Sequence, residues 1–375
     1  MRKALYIFVS ILLLYPLSSC SVEDLTFVAE DIVTESDMVD NPDQLTFVHL
    51  SDTHRSSISL DPALYYLNHT PTRFGLLTGD VTATDQMLEA IRESEKPMLL
   101  IPGNHDAYPY YEYSVGQYGF RTRVLNYIGQ GERVIFANNQ DNYWYQDYQK
   151  NGHTLRVIGI DQYEFESVQE DPNSLNCVYS QEQIDWFINL LEQSASCNGI
   201  IIAIHAGFGN RYVWNRDTSV TNDFISIYAK DYDNSYDFQG LDIIKVIPDI
   251  INAYQTGVNL TAQEYRNTTH DDKLTVTTHF DGPHHNFIAY FGGHTHWDMV
   301  EHLTPYPQQL QALIAYGGDG TGSKYNDLIK NTSNKNSYNF NVNVIDFNKR
   351  QLRIIRKGAN VKVDGTTRDS IVISY

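Results

Sequence analysis

The apolar pattern of the chain opens as an alternation of two element types. "LTFVHLS" (45–51) is a short apolar run ending in polar residues and predicts a strand, and "DPALYYLN" (61–68) predicts a helix with Asp61 as its cap and Pro62 at its first position. "RFGLLTG" (73–79), "TDQMLEAIRES" (84–94) and "PMLLIPG" (97–103) repeat the order strand, helix, strand. Such alternation implies a parallel-type sheet whose chemistry sits beyond the strand ends.

Residues 132 to 161 change character, with "RVIFANN", "NYWYQDYQ" and "TLRVIGID" predicting strands joined by tight turns. "SQEQIDWFINLLEQ" (180–193) predicts a helix, with Ser180 and Gln183 as a capping box and Ile184, Phe187, Leu190 and Leu191 at helical spacing. "GIIIAIH" and "NFIAYFGG" read as buried strands, and "FNVNVIDF", the turn "NKR" and "QLRIIR" as a hairpin on a sheet edge. Two packed sheets with helices outside fit this order. The span 207–286, rich in Asp, Asn and Tyr, fits neither pattern and reads as an insertion covering one face, while 340–375 supplies C-terminal strands.

The first 19 residues stand apart from the fold. A basic start at Arg2 and Lys3, an apolar run from Ala4 to Leu14 and small residues before Cys20 have the form of a secretion signal. "LSSC" resembles the lipobox of bacterial lipoproteins, which implies a lipid on Cys20 and attachment to the bacterial cell envelope through that lipid alone. Residues 20–44, acidic and weakly patterned, read as a tether, and 45–375 as one large domain. The formal net charge is −19, and loss of the leader makes it two charges more negative. A surface so acidic repels phosphate backbones and argues against nucleic acid as the partner. Cys177 and Cys197 flank the 180–193 helix, which would hold them about 20 Å apart, whereas a disulfide needs Cα atoms within about 7 Å; two free, buried thiols are expected.

Polar residues gather at the strand ends: "SDTH" carries Asp52 and His54, "TGD" Asp80, "PGNHD" Asn104 and His105, "AIHAG" His205, and "GGHTH" His294 and His296. Five such clusters on successive strand ends, on one sheet edge, form a site. Imidazole and carboxylate without thiolate suit Zn²⁺, Mn²⁺ or iron and argue against a closed structural metal site.

The order D-x-H, G-D, G-N-H-D, H and G-H-x-H resembles the calcineurin-like metallophosphoesterase superfamily over roughly 45–357. The resemblance implies a four-layer αββα sandwich and a dinuclear centre of two divalent ions, with Asp52, His54 and His296 on one ion, Asn104, His205 and His294 on the other, and Asp80 between them. It implies hydrolysis of a phosphomonoester or phosphodiester by a water held between the ions, with His105 as general acid toward the leaving group. Asp106 either orients His105 or closes the turn. Arg55, Arg211 and Arg216 are possible phosphate contacts, His270, His279, His284 and His285 extra ligands or substrate contacts, and Trp214 a packing residue. The acidic surface favours a small substrate. The alternative reading is an envelope binding protein that keeps the fold without turnover.

Overall fold

The computed structural model describes residues 32–107, 119–124, 134–138, 141–164, 179–208, 245–266, 273–294, 299–303, 306–314, 338–358 and 370–375. In chain order these form β1 (Gln44–Leu50), α1 (Leu60–His69), β2 (Phe74–Thr78), α2 (Asp85–Glu93), β3 (Met98–Ile101), the short α3 (Asn104–Ala107), β4 (Ile135–Phe136), β5 (Trp144–Lys150) and β6 (His153–Gly159). There follow α4 (Gln181–Glu192), β7 (Gly199–Ala206), α5 (Val246–Thr256), β8 (Gln263–Arg266), β9 (Lys273–Val276) and β10 (Phe287–Gly293). Last come β11 (Met299–Leu303), β12 (Tyr306–Leu313), β13 (Asn339–Asp346), β14 (Gln351–Gly358) and β15 (Ser370–Ser374).

Two mixed sheets carry the fold. One has the order β15-β14-β13-β1-β2-β3 and the other β11-β12-β10-β7-β6-β5-β4, with β8 and β9 as a separate pair. The strands that alternate with helices pair in parallel, β1 with β2 and β2 with β3. The second sheet has a parallel centre, β6, β7, β10 and β12. Period-two alternation sorts each strand between layers. In β7, Ile201 and Ala203 join Phe47, Phe74, Leu76 and Phe291 between the sheets. Ile200, Ile202 and Ile204 face α4 and α5 on the outer side. Val48, Leu50, Leu77 and Leu100 face α1 and α2 on the opposite outer side. This is a four-layer αββα sandwich, and the indole N–H of Trp144 on β5 links the sheets by donating to the Leu100 carbonyl on β3 at 2.9 Å.

Several local expectations are corrected. Helix α1 starts at Leu60, not after an Asp61 cap, because Leu60 is fully buried and Asp61 N–H already bonds Ser57 O at 2.8 Å. Ser180 accepts the Gln183 N–H at 3.0 Å, but the Gln183 side chain turns to the Asp161 backbone, so the capping box is half formed. The C-terminal hairpin exists but is not at the edge: β13 pairs with β1, and β15 lies outside β14. Within 207–286, α5 buries Val246, Ile247, Ile250, Ile251 and Tyr254 in the same core as α4, so this part is an integral layer. Residues 209–244 lie outside the described residues.

The expected tether is docked from residue 32 onward. Ile32 is buried in the core beneath α1, and Asp37 pairs with Lys357 at 2.7 Å and accepts the Tyr66 hydroxyl at 2.9 Å. The leader, Cys20 and residues 20–31 lie outside the described residues. Among those described, no helix is long and apolar enough to cross a membrane. Cys197 is a buried free thiol, and Cys177 lies outside the described residues.

Candidate metal centre

The loop after β1 is laced to the loop after β2 by main chain: Asp52 N–H donates to Gly79 O at 3.0 Å, His54 N–H to Asp80 O at 2.9 Å and Arg55 N–H to Val81 O at 3.1 Å. This lacing holds Asp52 (φ 53°), His54 (41°), Arg55 (68°), Asp80 (51°) and Thr82 (40°) in the left-handed region, and His294 after β10 shares it (72°). Residues with a Cβ adopt that conformation at a cost of about 1 kcal/mol or more each, and they collect where function demands an aimed side chain. Gly79 (φ 90°) sits at the crossing, where a Cβ would stand 2.5 Å from His205 Nδ1 and 2.8 Å from Gly103 Cα. Only glycine fits.

Asp80 is at the centre. Its Oδ1 accepts the His105 N–H at 2.8 Å. Its Oδ2 lies 3.3 Å from His205 Nε2, 3.6 Å from His54 Nε2 and 4.0 Å from His105 Nε2. That oxygen is buried, and His205 Nε2 is the nearest of the three imidazole nitrogens to it. The His205 ring is oriented by Nδ1, 2.7 Å from the Thr78 carbonyl, which places the proton on Nδ1 and the lone pair on Nε2. Around Nε2 stand Asn104 Oδ1 at 3.1 Å and His294 Nδ1 at 2.9 Å. Asp52 Oδ2 accepts the His294 N–H at 2.8 Å, and Asp52 Oδ1 is 3.9 Å from His54 Nε2.

Two groups of potential ligands thus share one carboxylate: His54, Asp80 and His105 on one side, and Asp80, His205 and His294 on the other, each with ligand atoms within 4.8 Å of one another. Oxygen and nitrogen lone pairs converge on buried points, an arrangement that a hard or borderline divalent cation satisfies. The donor set fits a divalent cation of this kind.

The electrostatics agree. Burial opposes ionisation of Asp80, but the charges of His205, His105 and His54 outweigh it and hold the carboxyl well below the usual range. Burial likewise opposes a charged His205, yet Asp80 and Asp52 push its pKa up to about 9. A proton therefore competes with a metal for this imidazole. Because the folded value exceeds the ordinary 6.5, the stabilisation from protonated His205 is full below pH 6.5 and is lost as pH rises through about 9. Metal affinity should run the other way, gaining up to about tenfold per pH unit until His205 is deprotonated. Chelator competition between pH 7 and 9 measures this; a flat profile would contradict it.

Of the residues anticipated at this site, Asp52, His54, Asp80, Asn104, His105, His205 and His294 come together. They do so at the facing ends of two sheets, not on one sheet edge: β1, β2 and β3 carry the first five, and β7 and β10 the histidines 205 and 294. His205 is the penultimate residue of β7 itself. Asp106 closes the turn, accepting N–H groups from Gly103 (2.9 Å), Thr82 (2.7 Å) and Val81 (3.2 Å). Arg55 is exposed beside His54. His284 and His285 precede β10 and are therefore about 20 Å from its far end, where His294 stands, which removes them as ligands. His284 instead stacks on Tyr254, and His279 is exposed before the same strand start. His296, Arg211, Arg216, His270 and Trp214 lie outside the described residues.

Two further buried residues, absent from the expected set, belong to the site. His49 on β1 lies beneath it, 3.0 Å from Thr78 Oγ1, and burial with the nearby Arg356 charge depresses its pKa to about 3, so it stays neutral. Gln162, just past β6, binds the backbone of His205. Its only sequence signal is its place after an apolar strand, the position shared by the other site residues.

No family model matches the sequence, and no curated protein matches it. Among solved structures the chain is similar to Haemophilus influenzae NAD nucleotidase, with 11% identity, a TM-score of 0.38, and 88% of this chain and 49% of that one covered. It is also similar to a putative 5'-nucleotidase from Staphylococcus aureus, with 13% identity, a TM-score of 0.38, and 80% and 50% covered. The chain spans about half the length of these two proteins.

Proposed function

We propose that this protein is a metal-dependent phosphoester hydrolase that uses two divalent ions. The observation that carries the reading is Asp80, a buried carboxylate whose Oδ2 faces His54 and His105 on one side and His205 on the other. In this reading Asp52, His54 and His296 would hold one ion, Asn104, His205 and His294 would hold the other, and Asp80 would serve both. The ions would supply charge to the transferring phosphoryl group and lower the pKa of a water.

The chain's own residues divide the remaining work by exposure. His205 and His294 are buried and face inward, whereas the His105 side chain is 29% exposed and leans edge-on against His54 with ring centroids 4.6 Å apart. His105 can meet a substrate, and we assign it proton donation to the leaving oxygen. Its backbone N–H on Asp80 Oδ1 ties it to the metal-binding carboxylate. Asp106 holds the "PGNHD" turn against the loop after β2, so it acts as a positioning residue. Arg55, with Arg211 and Arg216, is assigned to phosphate contacts, and the acidic surface favours a small substrate over a polynucleotide. Metal analysis of the purified protein with a panel of phosphomonoesters and phosphodiesters tests the reading; full metal loading without turnover of either class would refute it.

The anchoring reading rests on "LSSC" and places the enzyme on the bacterial envelope through lipidated Cys20. Cys20→Ser should move the protein from the membrane to the soluble fraction with activity intact. Unchanged partition would remove the anchor.

A further inference from the structure

β6 and β7 pair in parallel only as far as Gly159 and Ala203, after which Ile160 N–H makes one more bond to Ala203 O at 3.0 Å. Beyond that point the neighbouring strand has turned away, and the next stretch of β7 is the one bearing His205. A buried backbone there needs partners, because orphaned N–H groups in a core are rare and costly. They come from one side chain. Gln162 is fully buried, and its Oε1 accepts the N–H of His205 at 2.8 Å and of Ala206 at 2.7 Å. Its Nε2 donates to the Ala206 carbonyl at 2.9 Å and lies 3.4 Å from the Tyr179 hydroxyl. The amide group thus replaces a missing strand for two residues. On the other edge of β7 the pairing with β10 shifts register between Phe291 and Gly293, so that Gly293, next to His294, pairs with Ala206. The segment braced by Gln162 is therefore where both buried imidazoles are set.

We propose that Gln162 is a positioning residue for the metal centre: it fixes the main chain at His205, while Thr78 O fixes the ring, and together they hold Nε2 within reach of Asp80, Asn104 and His294. The inference rests on the two-ion reading. Outer contacts of this kind typically govern metal affinity by about 10- to 100-fold.

The test compares Gln162→Leu with Gln309→Leu in the full chain. Gln309 on β12 is equally buried, accepts the Tyr290 hydroxyl at 2.8 Å and donates to Pro248 O at 2.8 Å, so its loss has a similar structural cost away from the site. Both variants should lower the unfolding midpoint of the metal-free protein. In titrations with Mn²⁺ alone, only Gln162→Leu should bind more weakly, by about 10- to 100-fold and for one of the two ions. Gln162→Asn, one methylene too short to bridge both N–H groups, should show the same loss and serves if the leucine variant does not fold. Wild-type Mn²⁺ affinity at a folded 162 variant, or an equal loss in Gln309→Leu, overturns the proposal. Wild-type protein that binds no Mn²⁺ would instead refute the two-ion reading, and this inference with it.

Discussion

Asp80→Asn should abolish hydrolysis, lowering turnover by about 10³-fold or more, and should release both ions together. The shape is nearly conserved, and an amide oxygen can still accept the His105 N–H. What disappears is the negative charge that His54, His105 and His205 all face within 3.3 to 4.0 Å. In the proposed two-ion centre several kcal/mol of charge stabilisation would come from the ions, and each 1.4 kcal/mol is a factor of ten in rate. The fold should survive, since His205 owes its raised pKa to Asp80 and Asp52 and can become neutral when that attraction is weakened. Metal content and circular dichroism measured on the same sample check this; two retained ions with normal turnover would show that Asp80 is not shared. By contrast, His54→Ala should loosen mainly one ion.

His105→Ala should keep both ions and lose about 10²- to 10⁴-fold in turnover on substrates with poor leaving groups. The ring is more exposed than those of His54, His205 and His294, and it stands 4.0 Å from Asp80 Oδ2. Nitrophenyl esters need little help from an acid and should suffer much less. Kinetics on paired alkyl and nitrophenyl substrates separate the two cases, because a residue needed only for binding metal would lose both equally, with a fall in metal content.

Much of this was legible in the sequence, for a physical reason. Strands buried on both faces read as continuous apolar runs, and the polar residues that end them stand out, so Asp52, Asp80, Asn104, His205 and His294 could be found without a structure. The sharing of these ends between two sheets was not legible, because an apolar run records burial and not the strand beside it. The same limit hid the position of the C-terminal hairpin, whose alternation is equally compatible with an edge and with a place between β1 and β15. Helix α5 does not stand out in the sequence, although Val246, Ile247, Ile250, Ile251 and Tyr254 have helical spacing and Gly257 (φ 71°) marks its end. The surrounding Asp, Asn and Tyr diluted that signal. Gln162 illustrates a deeper limit: a side chain that stands in for a strand follows no periodicity, and only the departure of β6 from β7 shows why it is needed.

Crystals of the full chain grown with Mn²⁺ and measured at a wavelength where manganese scatters anomalously would show whether Asp80 is shared between two ions. Two anomalous peaks are expected about 3.5 to 4 Å apart, both within bonding distance of Asp80, one beside His54 and the other beside His205 and His294. A single peak, or a pair of which neither touches Asp80, would contradict that sharing.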